Sequence, residues 1–273
     1  KNLKIEMGSK YVDRIISSDY ETTNTDQDTI FPNLTDVFNY QQTVFATYIS
    51  SNLQLPRDFS LVFGARYEGT EISGDYEIKD DILEKNVYHN VLPSFVISKK
   101  IGFSKTLKLS YTTRINRPDV HYINPNIISL DSKNTTIGNP NLDPEKTQQL
   151  ELGFSNFSPG IMTNFSLYYK RKDDVIESFV TLVGDTSVTN YDNIGQNNAF
   201  GLDFFGNVKI RKILNIRGWF DMSTYNTVGT GRYDDWSRNA FVYKFGLNAT
   251  IDLGNNYMLE SRGWFNSPRQ TIQ

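Results

Sequence analysis

Arg114, Asn116 and Arg117 close a run of alternating residues, and Asp119, His121 and Tyr122 follow them directly. A guanidinium so placed takes a carboxylate through two parallel hydrogen bonds. These residues are therefore candidates for holding an anionic solute, or for bracing the long connector they open against Asp143 or Glu145; bracing is the simpler reading. His121 beside Asp119 has the makings of a general base with its orienting carboxylate. The rest of a hydrolase is missing, because there is no Gly-x-Ser-x-Gly and the only other histidine, His89, does not stand at metal-ligand spacing. No catalytic residue, metal ligand or cofactor is assigned. Arg114, Asn116, Arg117, His121, Tyr122, Asn139 and Asn141 are taken as candidates for substrate or loop contact.

Two connectors are acidic. One carries Glu21, Asp26, Asp28 and Asp36, the other Glu71, Asp75, Glu77, Asp80, Asp81 and Glu84 against Lys79 and Lys85. Carboxylate oxygens can hold a divalent cation, but neither stretch has an EF-hand spacing or its glycine turn, so solvated loop charge is the preferred reading.

Elements that would position these residues are strands. Leu107, Leu109, Tyr111 and Thr113 alternate with Lys108, Ser110, Thr112 and Arg114, and Leu150, Leu152 and Phe154 alternate with Gln149 and Glu151. Between these strands lies a shaped connector ending Gly138-Asn139-Pro140-Asn141-Leu142-Asp143-Pro144-Glu145, whose prolines fix φ and extend the residue before each. Period-2 alternation gives about eleven strands, many longer than the ~5–6 residues usual in soluble sheets. The clearest are 161–169, 200–210, 214–222 and 241–253; earlier ones fall at about 3–16, 40–54, 59–70 and 87–100. Such strands suit a bilayer, which needs ~9–11 residues with apolar-out, polar-in alternation. Short connectors at 56–58, 101–105, 156–160, 211–212 and 254–256 take turns with long ones at about 20–38, 71–86, 117–145, 182–192 and 226–238. A transmembrane barrel with short periplasmic turns and long outer loops has this rhythm. Arg66, Glu68, Glu151, Asp203, Arg217, Asp221, Lys244, Asp252, Glu260 and Arg262 then fall on the polar, lumen-facing side. Trp219, Tyr225, Tyr233, Trp236, Tyr243, Tyr257 and Trp264 are candidates for aromatic girdles.

Composition is consistent with this. Hydrophobic residues make up 38 % and aromatics 14 % of 273 residues, with no cysteine and a formal charge of −3. A lumen of polar residues accounts for the modest hydropathy, the absence of cysteine removes thiolate sites, and the charge argues against a nucleic-acid partner. No run of roughly 18 apolar residues exists to form a membrane helix. The chain opens at Lys1 in mid-pattern and is read as a processed or excised segment, so a missing signal peptide says little.

The Arg-x-Asn-Arg-Pro strand end, Asn124-Pro125, and the Gly-Asn-Pro-Asn-Leu-Asp-Pro-Glu run into Leu150-Glu151-Leu152-Gly153 resemble the barrel of TonB-dependent outer-membrane receptors, closest to the outer membrane protein β-barrel family. Phe63-Gly64-Ala65-Arg66-Tyr67-Glu68, Leu92-Pro93-Ser94, and Asn193-Ile194-Gly195 with Gly201-Leu202-Asp203 add to the likeness, Asp203 standing where Glu is usual. The resemblance implies an all-β, antiparallel transmembrane segment, part of a 22-strand barrel in the cell outer membrane of a Gram-negative bacterium. It also implies an N-terminal plug, the TonB-contacting box and final strands outside these residues, with lipid, plug, TonB and a small scarce solute (siderophore, glycan, peptide or cobalamin) as partners. It implies transport, not catalysis. The rival readings are a passive porin or adhesin barrel, and a soluble β-sandwich binding module.

Overall fold

The computed structural model describes residues 2–24, 29–30, 35–76, 82–125, 128–131, 133–211 and 213–268. Asp26, Asp28, Glu77, Lys79, Asp80 and Asp81, and the side chains of Asp36 and Glu84, lie outside the described residues. Eleven long strands follow one another as an antiparallel meander: β1 (Asn2–Tyr20), β4 (Asp36–Leu55), β5 (Phe59–Tyr76), β6 (Ile82–Ile101), β7 (Lys105–Asn116), β10 (Glu145–Ser158), β11 (Ile161–Val183), β12 (Thr186–Ile210), β13 (Leu214–Gly229), β14 (Ser237–Gly254) and β15 (Tyr257–Asn266). A small ribbon, β2 (Thr23–Asn24) and β3 (Thr29–Ile30), sits between the first two. Helix α1 (Val120–Ile123), β8 (Ile128–Asp131) and β9 (Asn134–Thr136) lie between β7 and β10. Among the described residues β1 pairs only with β4, and β15 only with β14.

The five short turns share one chemistry. Arg57, Asp58, Gly102, Gly160, Arg211, Gly254, Asn255 and Asn256 all take positive φ, the twist that tight hairpins demand. The long connectors differ from the sequence expectation. Residues 182–192 form no loop: β11 and β12 stay paired up to Val183 and Thr186, and only Gly184 and Asp185 turn the chain. Likewise β5 and β6 remain paired up to Asp75 and Ile82. At the tip of the β11–β12 ribbon, Thr181 to Asp185 are exposed on both faces, so no apolar stripe marks the strands there.

Register gives the two faces different characters. Leu3, Leu53, Leu61, Ile97, Leu109, Leu152, Leu167, Leu202, Met222 and Tyr243 stand opposite one another in an unbroken row across ten strands. On the same face, one step nearer the short turns, Phe154, Phe165, Phe204, Phe220, Phe245 and Phe265 form a row across six strands. These side chains meet no packing layer of the described chain; Phe165, Leu167, Phe245 and Leu247 are among its exposed large hydrophobics. One step beyond Tyr169 the face turns polar, through Thr113, Gln148, Arg171, Asn198, Asn226 and Asn239. From Ile161 to Tyr169 the apolar band runs about 26 Å along the strand at ~3.3 Å per residue, comparable to the ~25 Å band of outer-membrane barrels.

At its upper edge stand tyrosines whose hydroxyls reach the polar side. Tyr111 donates to Gln148 Oε1 (3.0 Å), Tyr169 to Asn198 Oδ1 (2.8 Å), and Tyr67 Oη lies 2.9 Å from His89 Nδ1. A ring in the acyl region with its hydroxyl in the headgroups is what a girdle requires. Trp219 and Trp264 are not part of it, since both oppose Gly246 on the polar face, and Tyr233 and Trp236 pack in a cluster beyond the apolar band with Ile194 and Phe179. Tyr243 keeps its place on the apolar face, its ring 5.7 Å from that of Phe265.

Candidate functional site

The connector from β7 to β10 folds inward over the polar face of β4, β5 and β6. Asp119 caps α1 by accepting from the backbone N–H of His121 (3.0 Å), as a short carboxylate before a helix does. The apolar side of α1 brings Ile123, 1 % exposed, into a cluster with Phe38, Tyr40 and Ile72, with Val120, Ile16 and Tyr88 at its edge. Alternation in β4 puts Phe38 and Tyr40 on the inner face, where the inserted segment covers them.

Arg117 locks the insertion. Its guanidinium pairs with Glu68 and donates through Nε to Thr70 Oγ1 at 3.0 Å. Glu68, 6 % exposed, is also paired with Arg66, so one buried carboxylate sits between two guanidiniums. Buried charge is tolerated only when compensated in this way.

The returning end of the connector is fixed by backbone as much as by side chains. Gly138 N–H donates to the carbonyl of Asn124 (3.0 Å) and Asn139 N–H to that of Tyr122 (2.6 Å). A Cβ on Gly138 would lie 2.3 Å from Asn124 O, so only glycine fits. Asn139 Nδ2 donates to Tyr191 O, and its Oδ1 accepts from Asn141 N–H, each at 3.0 Å. Asn193 takes Asp143 N–H on its Oδ1 and donates back to Asp143 O and Asp174 O. Glu145 ends the connector as a hub: it accepts from Asn116 Nδ2 (3.0 Å), Lys172 Nζ (3.2 Å) and Ile176 N–H (3.1 Å) while 6 % exposed.

Of the residues singled out in the sequence, Asn139, Asn141 and Asn116 thus serve the connector's own architecture, and Arg117 holds it to the wall. His121 and Tyr122 stay exposed, the Tyr122 ring 4.8 Å from that of Tyr191 and 6.1 Å from that of His121. The Asp119 carboxylate is used on a backbone N–H, so the base-and-orienter arrangement is not built. Among the described residues no group of three His, Asp or Glu side chains could hold a metal ion. In the acidic connectors Glu71 pairs with Lys85 (2.7 Å) and Asp75 accepts from Asn39 Nδ2 (3.4 Å).

Beneath the inserted segment lies a cavity of about 500 Å³ with polar and apolar lining in equal parts, bordered among others by Asn116, Arg117, Tyr122, Lys170, Val175 and Tyr225. A second, of about 450 Å³, continues down the wall past Arg114, Thr112, Gln149 and Lys170; Asn116, Lys170 and Lys172 border both. Asn116, Arg117 and Tyr122 therefore line the first cavity and Arg114 and Asn116 the second, while Asn139 and Asn141 line neither. Glu68, Lys170 and Lys172 were missed as site residues. The signal for the lysines was their alternation with Tyr169 and Arg171, which assigns them to the inner face.

The family model of the outer membrane protein beta-barrel family matches residues 1–273. The chain belongs to that family. A comparison with curated proteins found no match. Among solved structures, the FrpB iron transporter of Neisseria meningitidis is 16 % identical with a TM-score of 0.59, covering 83 % of this chain and 33 % of its own. The copper transporter OprC (14 %, TM-score 0.64) covers 93 % and 41 %, and the ferric yersiniabactin uptake receptor FyuA of Yersinia pestis (13 %, TM-score 0.64) covers 96 % and 39 %. At these identities the likeness is one of fold, and the chain spans well under half the length of those proteins. The family member described here is an outer-membrane β-barrel segment; its apolar rows face lipid and its polar face lines the lumen. No helix among the described residues is long and apolar enough to cross a membrane, and strands make the crossing.

Proposed function

We propose that this chain forms the wall and mouth of a receptor that imports a scarce solute across the outer membrane in a TonB-dependent manner. The observation that carries the reading is the inserted segment. A connector that turns inward, docks by pairing Arg117 with the buried Glu68 carboxylate and roofs a cavity of about 500 Å³ suits capture of a solute at a gated mouth better than free diffusion. Both outer strands need further pairing, because each backbone group left unpaired in lipid costs several kcal/mol. We assign the missing strands, and an N-terminal plug that TonB rearranges, to the rest of the same protein, with a barrel of the 22-strand type. Arg114, Tyr122 and His121 are the proposed solute contacts; Asn116, Arg117, Asn139 and Asn141 keep the mouth in shape.

The test uses the full-length protein purified from outer membranes. A gated receptor is closed in a planar bilayer and binds the periplasmic domain of TonB; a steadily conducting protein without TonB binding would be a passive porin, and the receptor reading would fall.

A further inference from the structure

On the inner face, Arg114 stands opposite Thr147, which stands opposite Lys172, and one step down Gln149 stands opposite Thr112 and Lys170. Adjacent strands lie ~4.8 Å apart and alternate residues ~6.6 Å apart along a strand. Arg114, Lys170 and Lys172 therefore frame a patch of about 7 by 10 Å floored by Thr112, Thr147 and Gln149, all lining the second cavity. Lys172 is committed to Glu145. Neither Arg114 nor Lys170 forms an ion pair with a described residue; Lys170 Nζ lies 5.8 Å from the Tyr168 ring centre. Of the nearby carboxylates, Glu151 lines the same cavity and accepts from Gln149 Nε2 at 2.9 Å, and Asp221 Oδ1 lies 3.9 Å from Lys244 Nζ; against Glu151 the cavity sets Lys108, Arg114, Lys170 and Lys172, so cations are in excess. Two cations that form no ion pair with a described residue thus flank polar side chains in a cavity that shares Asn116, Lys170 and Lys172 with the one at the mouth.

We infer that this patch is an oxyanion-binding subsite, Arg114 engaging one carboxylate or phosphate group through two parallel hydrogen bonds and Lys170 engaging a second, so that the admitted solute carries at least two anionic groups. A planar guanidinium fixes the direction of approach while the flexible ammonium tolerates solutes of different span. The inference rests on the receptor reading and names its substrate class. The same cations could instead meet carboxylates of the protein's own plug, and the test separates the two sources.

The full-length receptor in detergent is acetylated with a water-soluble amine reagent, with or without citrate, and modification of Lys170 is followed by mass spectrometry against Lys209 near the opposite end of the wall. Expected is a Lys170 that reacts in the free receptor and is shielded by citrate, but not by chloride of equal ionic strength or by a neutral sugar, with Lys209 unchanged. Arg114→Gln should raise the citrate needed for half-protection about tenfold, in line with a lost hydrogen bond to a charged group, while the heat-dependent gel shift persists. Lys170→Gln, with Lys172 as reporter, serves should that variant fail to insert. A Lys170 indifferent to citrate overturns the subsite. A Lys170 already unreactive without citrate also overturns it, and shows the cations to be neutralised within the protein. A passive channel would still show the protection, so this result and the TonB test are read separately.

Discussion

Asp174 occupies the slip in register where β11 bulges against β12, at φ 55°, a left-handed conformation that Asn and Asp tolerate better than other side chains. Burial, and then the charges of Asp143 and Asp173, push its carboxyl above the ordinary value, against the opposing pull of Lys146. A carboxyl raised in the folded state costs nothing while protonated in both states. The bulge should therefore lose stability as pH rises from the unfolded carboxyl range through the folded one, and stay weaker above it. Asp174→Asn keeps the backbone preference and removes the charge. Its bulge should be more protected at neutral pH and insensitive to that rise, as read by hydrogen exchange corrected for intrinsic rates; an unchanged pH dependence would sink the assignment. At this scale the sequence showed which residues carry charge but not which meet. Arg117 was legible as a bracing cation, yet its partner Glu68 lies 49 positions earlier, and only the register of β5 against the inserted segment brings them together.

Elements were legible where one face is greasy and hard to read where both are wet. Ile161 to Tyr169 alternates because alternate residues meet lipid and lumen, whereas the tip of the same strand, Thr181 to Val183, is exposed throughout; no alternation is imposed there, and residues 182–192 read as a loop. The inward fold of the β7–β10 connector was hidden for a related reason, because its apolar anchor is Ile123 with Val120 beside it, meeting Phe38, Tyr40 and Ile72, too few residues to make a pattern. That anchor can be tested. Ile123→Ala empties a fully buried site, a change that costs about 2–5 kcal/mol in packed cores, and Arg117→Ala leaves Glu68 with Arg66 alone. The double variant should insert normally and keep its heat-dependent gel shift while exposing residues 117–144 to protease from the cell surface. Loss of insertion would instead make the segment part of barrel assembly. Glu145→Ala should loosen the other end, since Asn116, Lys172 and the Ile176 N–H lose their common acceptor, and cleavage should then shift toward residues 138–146.

At the scale of the whole wall, one phase relation decides everything: odd and even positions of each strand belong to different solvents. The lumen charges from Arg66 to Arg262 were assigned to their face from this alternation alone, and the register places each of them opposite the apolar rows. Neighbouring residues should therefore respond oppositely to the same substitution. Phe165 lies mid-band on the lipid face, between Phe154 and Phe204, while Ser166 lies on the lumen face, between Gly153 and Asp203. An arginine at a barrel's lipid-facing midplane costs about 2–4 kcal/mol; in the lumen it stays hydrated and, at 166, gains Asp203 as a neighbour. Phe165→Arg should lower the denaturant midpoint of the full-length protein folded into lipid vesicles and reduce its amount in the outer membrane. Ser166→Arg should leave both near wild type. Equal damage from the two would mean that the apolar rows do not face lipid, and would return the soluble sandwich to consideration.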